Sequence, residues 1–196
     1  NHIRDLSIFL SQGAYYRPVT TLFFLLDHII WYHNPFGYHL SNIILHSLNG
    51  ILVTLLLLLL FQREGVALLG GLIFALHPVH TESVSWISGR TDVICCLFFL
   101  LSLVAFLLYL REGGRKGLLL SLIFALYSMG AKEIGFSLLL ILPLLFFISR
   151  GKGGRISLLI YLISVLLLGG LYLGLKGKVL KEVILPLLKE PGQAMV

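Results

Sequence analysis

Charge is what this sequence has least of: Asp, Glu, Lys and Arg together make up 12% of its 196 residues, about half the share usual in soluble domains. A water-facing surface is built largely from such residues, so their scarcity excludes an ordinary soluble enzyme. Cysteine is nearly missing too. The two present, Cys95 and Cys96, are adjacent, and neighbours on a helix point to different faces and do not readily bridge, which excludes a disulfide framework. They read as small residues within an apolar run rather than as a redox pair. There is no Walker loop, no dinucleotide fingerprint and no Gly-x-Ser-x-Gly elbow, which argues against a nucleotide- or serine-dependent cytoplasmic enzyme. No internal repeat, low-complexity tract or soluble domain is visible.

What is there instead is hydrocarbon. Hydrophobic residues make up 58% and the mean hydropathy is +0.96, values of a polytopic membrane protein. Apolar runs cover 38–61, 66–76, 93–110, 118–129, 134–148 and 156–175, giving an all-α bundle of about six spans. The second, fourth and fifth runs are short for a bilayer that needs about 20 residues, so they tuck against neighbours or extend into ordered loops. The sequence divides into an extracytoplasmic segment 1–37, a transmembrane bundle 38–175 and an amphipathic tail 176–196. It opens in a polar segment, without a visible cleavable signal, and reads as a piece of a longer chain.

The net charge of +6 does not point to nucleic acid, because the positive residues sit in particular connections. Residues 62–64 ("QRE"), 111–116 ("REGGRK") and 150–155 ("RGKGGR") are short basic linkers after the first, third and fifth runs, which the positive-inside rule places in the cytoplasm. The connections 1–37, 77–92, 130–133 and the tail then face the other side. Nearly all the histidines and both tryptophans fall there. Within 1–37, Pro18 suits a first helical turn, and Leu22, Leu25, Leu26, Ile29 and Ile30 form a stripe closed by Trp31 and Tyr32, the pattern of an in-plane interfacial helix.

The stretch "HPVHTESVSWISGRTD" (77–92) concentrates chemistry that a bilayer would charge several kcal/mol to bury. His77, His80 and Glu82 are spaced so that a turn at Pro78 could make them ligate a divalent metal; equally, His77 caps a helix end and His80 lies at the interface. Arg90 and Asp92 either pair locally at the start of the next span, or Arg90 grips a phosphate while Glu82 or Asp92 acts on a hydroxyl. Trp86 suits stacking on a sugar or anchoring in headgroups. Lys132 and Glu133 are an interfacial pair or a contact for a lipid-linked phosphate, and Arg17 adds a cation on the same side. His39, Asn42, His46 and Asn49 form one polar face on the first span, for packing or for a lipid-substrate groove.

The stretches "YYRPVTTLFFLLDHIIWYHNPFGYHLSNIILHSLNGILV", "ALHPVHTESVSWISGRTDVICCLFFLLSLVAFLLYLR" and "GAKEIGFSLLLILPLL" resemble the membrane portion of the transmembrane and tetratricopeptide-repeat O-mannosyltransferase family and its bacterial relatives, over roughly residues 1–145. The resemblance implies a GT-C fold and transfer of a sugar, mannose above all, from a polyprenyl- or dolichyl-phosphate carrier to a hydroxyl on an acceptor protein, outside the cytoplasm, in a bacterial inner membrane or the endoplasmic reticulum. It also implies paired acids after a first membrane helix and downstream tetratricopeptide repeats, neither of which this sequence contains; no role passes to Asp5. Combining both lines, Arg90, Lys132 and Arg17 face the carrier phosphate together with Glu133, Glu82 and Asp92 serve the acceptor or the sugar beside Trp86, and His77 and His80 shape the loop or hold a metal. A transporter or flippase for a lipid-linked solute, which predicts ionisable residues at mid-span, and a non-catalytic scaffold are the competing classes.

Overall fold

The computed structural model describes residues 17–149 continuously and scattered helical positions between 159 and 178. The opening 1–16, the linker 150–155 and the tail from 179 lie outside the described residues. All regular structure in the described part is helical.

Within residues 17–149 seven α-helices follow one another: α1 (Pro18–Trp31), α2 (Pro35–Phe61), α3 (Glu64–Leu76), the short α4 (Thr81–Ser85), α5 (Arg90–Glu112), α6 (Arg115–Ala131) and α7 (Leu138–Ser149). Tight 3-10 turns at Pro78–His80, Ile87–Gly89 and Glu133–Ser137 join them. Helix ends fall where the local chemistry requires. Pro18 and Pro35 occupy first turns, where a missing N–H costs nothing, and the Asn34 side chain accepts from the Phe36 N–H as an N-cap. Gly113, at φ 77°, ends α5 in the left-handed conformation that only glycine adopts freely.

Among the described residues two helices are long and apolar enough to cross a membrane, Pro35–Phe61 and Ile87–Glu112. The runs at 66–76 and 118–129 lie in α3 and α6, of 13 and 17 residues, and 134–148 is divided between the 3-10 turn Glu133–Ser137 and α7, of 12 residues. At about 1.5 Å per residue, 13 residues reach roughly 20 Å, short of a hydrocarbon core of about 30 Å. The apolar stripe of 22–30 lies on α1, with Leu22, Leu26, Ile29 and Ile30 exposed and Val19, Thr20 and Asp27 buried.

Packing is centred on α5, which runs parallel to α2 and antiparallel to α6. Phe106, Leu110 and Leu103 of α5 meet Ala125 and Met129 of α6 and Leu138 and Leu142 of α7 in the main core. At mid-helix Ser102 Oγ donates to the Ser121 carbonyl over 2.9 Å, a small-residue contact that lets two backbones approach. At one end of the bundle Arg111 of α5 donates to the Leu59 carbonyl of α2. At the other end His46 of α2 meets the Ala75 carbonyl of α3, Asn49 meets Val93 of α5, and Cys95 of α5 meets Ser128 of α6. The basic linkers after α2 and α5 therefore share one pole, while Arg17, the 77–92 loop and Lys132-Glu133 share the opposite one.

Burial is inverted relative to a water-soluble fold. Ile29, Leu76, Leu140 and Phe147 are each more than 70% exposed, while Arg90, Asn42, Ser102, Ser121 and Ser128 are fully buried.

Candidate functional site

The pole opposite the basic linkers is organised around Arg90, the first residue of α5. The 3-10 turn Ile87–Gly89 delivers the chain into α5 so that this side chain points inward, and its exposure is 0%. Its Nη1 donates to Asp27 Oδ2 of α1, its Nε to Asn42 Oδ1 of α2 over 2.7 Å, and its Nη2 to the Tyr38 carbonyl over 2.6 Å. The Phe24 and Tyr38 rings flank the guanidinium at 5.1 and 5.7 Å. A buried charge persists only with this kind of enclosure. It also leaves no exposed guanidinium surface, so in this arrangement Arg90 holds protein groups in the place where the sequence suggested a phosphate. Local pairing of Arg90 with Asp92 is replaced as well, since Arg90 pairs with Asp27 of α1 and Asp92 with Lys132 just past the end of α6.

Asp27 is the residue that sequence reasoning passed over. Read along α1 it interrupts an apolar stripe; in the fold it is buried, ion-paired to Arg90 and accepts from Ser41 Oγ over 3.0 Å, while Ser41 in turn accepts from Trp31 Nε1 over 3.2 Å. An acid inside an apolar helix is itself the signal that a cation must lie opposite. Which cation, 63 positions away, is a matter of tertiary structure.

Asn42 links this centre to the loop above it, donating from Nδ2 to the Val84 and Trp86 carbonyls, both over 3.1 Å. Two members of the polar face on α2, Asn42 and Asn49, thus serve packing between helices, Asn49 through the Val93 carbonyl at 3.0 Å. Glu82 lies in the short α4 and Trp86 follows its end, and both are exposed. Among the described residues Glu82 makes no ion pair.

Lys132 and Glu133 are neighbours in sequence and part company in space. Extended backbone at Lys132 turns the chain out of α6 into the 3-10 turn Glu133–Ser137. Gly135 makes that turn possible: a Cβ there would stand 2.6 Å from the Met129 nitrogen and the Ser128 carbonyl carbon. Lys132 Nζ donates to Asp92 Oδ1 of α5, and Arg17 pairs with Glu133 over 2.8 Å. The side chains are one fifth to just under one half exposed, 33% and 45% for Lys132 and Asp92 and 22% and 41% for Arg17 and Glu133. The pole thus gathers two accessible cations and three accessible carboxylates, on elements far apart in sequence.

The histidines take a different place. His77 Nδ1 accepts from the Val79 N–H over 3.1 Å, capping the turn at Pro78. His80 packs among Phe74 and His46, ring centroids 4.4 and 5.2 Å away. Burial lowers its pKa below 6.5, and the nearby His46 and His77 push it further the same way. Among the described residues no three of His, Cys, Asp and Glu come together in a way that could hold a metal. The candidate set of His77, His80 and Glu82 therefore does not fit a divalent ion: one imidazole nitrogen is spent on the backbone and the other ring lies in an aromatic cluster.

No family model and no solved structure matches the chain. Curated proteins do. It is 40% identical over 135 residues to human protein O-mannosyl-transferase TMTC1, 45% over 106 residues to Xenopus laevis protein O-mannosyl-transferase tmtc2, and 36% over 146 residues to human protein O-mannosyl-transferase TMTC4. Over these stretches the chain is similar to TMTC protein O-mannosyl-transferases. The three matches take in 61%, 54% and 63% of the chain and 15%, 12% and 20% of the relatives. Compared with these TMTC proteins, the chain spans about one sixth of their length.

Proposed function

We propose that the chain forms part of a membrane glycosyltransferase that moves mannose from a polyprenyl- or dolichyl-phosphate carrier to a hydroxyl on an acceptor protein, on the non-cytoplasmic side. The observation that carries this reading is the identity of 40% or more to two proteins named O-mannosyl-transferases. The geometry supports it independently. The inverted burial suits a hydrocarbon surrounding, and the basic linkers at one pole suit the cytoplasm by the positive-inside rule, with a six-span GT-C bundle accommodating both. Carriers of this kind present an anionic phosphate at the headgroup level, which is where accessible cations are needed.

In this reading Lys132 and Arg17 hold the departing phosphate, Asp92 or Glu82 accepts the proton of the acceptor hydroxyl as that oxygen attacks the sugar, and Trp86 stacks against the sugar or the acceptor. Glu133 sets the direction of Arg17. Arg90 supports these groups from below, and His77 and His80 shape the loop. The exposure of Lys132 and Asp92 lets a phosphate compete for the ammonium while the carboxylate is released toward the acceptor.

The test is transfer of radiolabelled sugar from a panel of polyprenyl-phosphate donors by membranes containing the native polypeptide that carries this sequence, with Asp92→Asn and Glu82→Gln alongside. Label moving to protein from a mannose donor, and falling at least about tenfold in one variant, is the expected result. If a reference transferase works in the same preparation and no donor is used here, the transporter reading takes its place.

A further inference from the structure

Arg90 touches three separate pieces of the pole at once. Its own position starts α5, and Asp92, which holds Lys132, is two residues further along the same first turn. Its Nε fixes Asn42, whose amide in turn holds the carbonyls of Val84 and Trp86, in the segment that carries Glu82. Its Nη1 fixes Asp27, and through Asp27, Ser41 and Trp31 the end of α1. The α1 helix begins beside Arg17, and Thr20 donates to the Ala131 carbonyl over 3.2 Å, next to Lys132. Each accessible charged group at the pole is thus tied by a short covalent and hydrogen-bonded route to one buried ion pair.

Fold stability alone does not call for that arrangement. A buried pair exchanged for apolar side chains of similar volume is often neutral or stabilising, whereas an ion pair with fixed hydrogen-bond geometry specifies one arrangement of the elements it joins. A guanidinium is suited to this, because its planar fork sets direction as well as charge.

We propose that Asp27 and Arg90 are positioning residues for the transfer reaction: their ion pair, with Asn42, fixes the 81–92 segment and Asp92 against α1 and α6 so that the exposed acids and Lys132 meet substrate in one geometry. The inference rests on the transferase reading above. Catalysis is sensitive to such placement, since a misplacement of about 1 Å can cost on the order of a hundredfold in rate.

The test compares the wild type with Asp27→Asn, which keeps shape and removes charge, and Arg90→Lys, which keeps charge and loses the fork. Steady-state kinetics are normalised to folded protein recovered by size exclusion in detergent, and hydrogen exchange is followed in the amides of 81–92. Expected are a fall in kcat of at least about tenfold in Asp27→Asn with donor KM within about twofold, a smaller fall in Arg90→Lys, and faster exchange across 81–92 in both. A merely structural role would lower the yield of folded protein and leave kcat per folded molecule unchanged, which would overturn the proposal, as would unaltered exchange. If Asp27→Asn yields no folded protein, Arg90→Lys decides by the same criteria. Absence of transfer in the wild type would overturn the transferase reading, and with it the catalytic purpose of the pair, while the exchange data would still decide whether the pair orders the segment.

Discussion

Lys132 is bound to Asp92 and turned away from its sequence neighbour Glu133, so its substitution should be felt in binding more than in folding. Losing one charge-assisted contact to a phosphate is worth roughly 1.5–3 kcal/mol, or about ten- to a hundredfold. Lys132→Ala should therefore raise the donor KM at least about tenfold, and Lys132→Arg should restore part of it; steady-state kinetics with varied donor check this. His80 makes a prediction of the opposite kind. Its pKa in the fold lies below 6.5, so it resists protonation there more than in the unfolded chain. The stability tied to it is complete above about 6.5 and is lost as the pH falls through the lowered folded value. Thermal unfolding in detergent at pH 7.5 and 5.5 should show a larger loss for the wild type than for His80→Gln. At this scale the sequence was informative about which residues are unusual and silent about their partners. Arg90, Asp92 and Lys132 stand out in apolar surroundings, but each has at least two plausible uses, and only the positions of α1 and α6 distinguish them.

Helices α2 and α5 follow from composition, because long apolar segments with terminal caps have few alternatives to helix. Their mutual register depends on a few side chains. Asn42 satisfies Arg90 and two loop carbonyls, whereas Asn49 makes one hydrogen bond and its Oδ1 is buried with no partner among the described residues. Asn42→Leu should therefore destabilise by about 1.5–3 kcal/mol or more, since it removes a hydrogen bond to a buried charge and leaves two loop carbonyls without their donor. Asn49→Leu should cost less than about 1.5 kcal/mol, because one buried unsatisfied atom is removed along with one bond. Denaturation of the two variants in the same detergent tests the ordering, and equal losses would contradict it. The 3-10 turn after α6 offers a further check. In Gly135→Ala the added methyl meets backbone atoms of Ser128 and Met129 that cannot rotate away, and a loss of about 1–3 kcal/mol is expected. The polar face on α2 was visible from spacing alone, but spacing could not choose between a groove and a helix contact.

Across the whole molecule the arrangement of poles is the testable quantity. If the bundle crosses the membrane as proposed, single cysteines at Ser85 and Gly114, both exposed, lie on opposite sides once Cys95 and Cys96 are replaced by alanine. In sealed vesicles of known orientation an impermeant maleimide should label one of them from outside and the other only after permeabilisation. Labelling of both from the same side would remove the alternating topology and the non-cytoplasmic site with it.

The sequence by itself determined that this protein is helical and built for a hydrocarbon surrounding, and that its scarce charges collect in a few connections, because apolar content, helix period and loop charge are local properties. Its resemblance to O-mannosyl-transferases was legible in the same way, in the 77–92 stretch and at Lys132-Glu133. Tertiary structure alone decided that Arg90 faces Asp27, that Lys132 and Glu133 separate onto different partners, and that His77 and His80 serve turn and packing. Ion pairs across 40 to 116 positions are chosen by helix packing, and helix packing depends on the shapes of all the buried side chains together rather than on any local pattern.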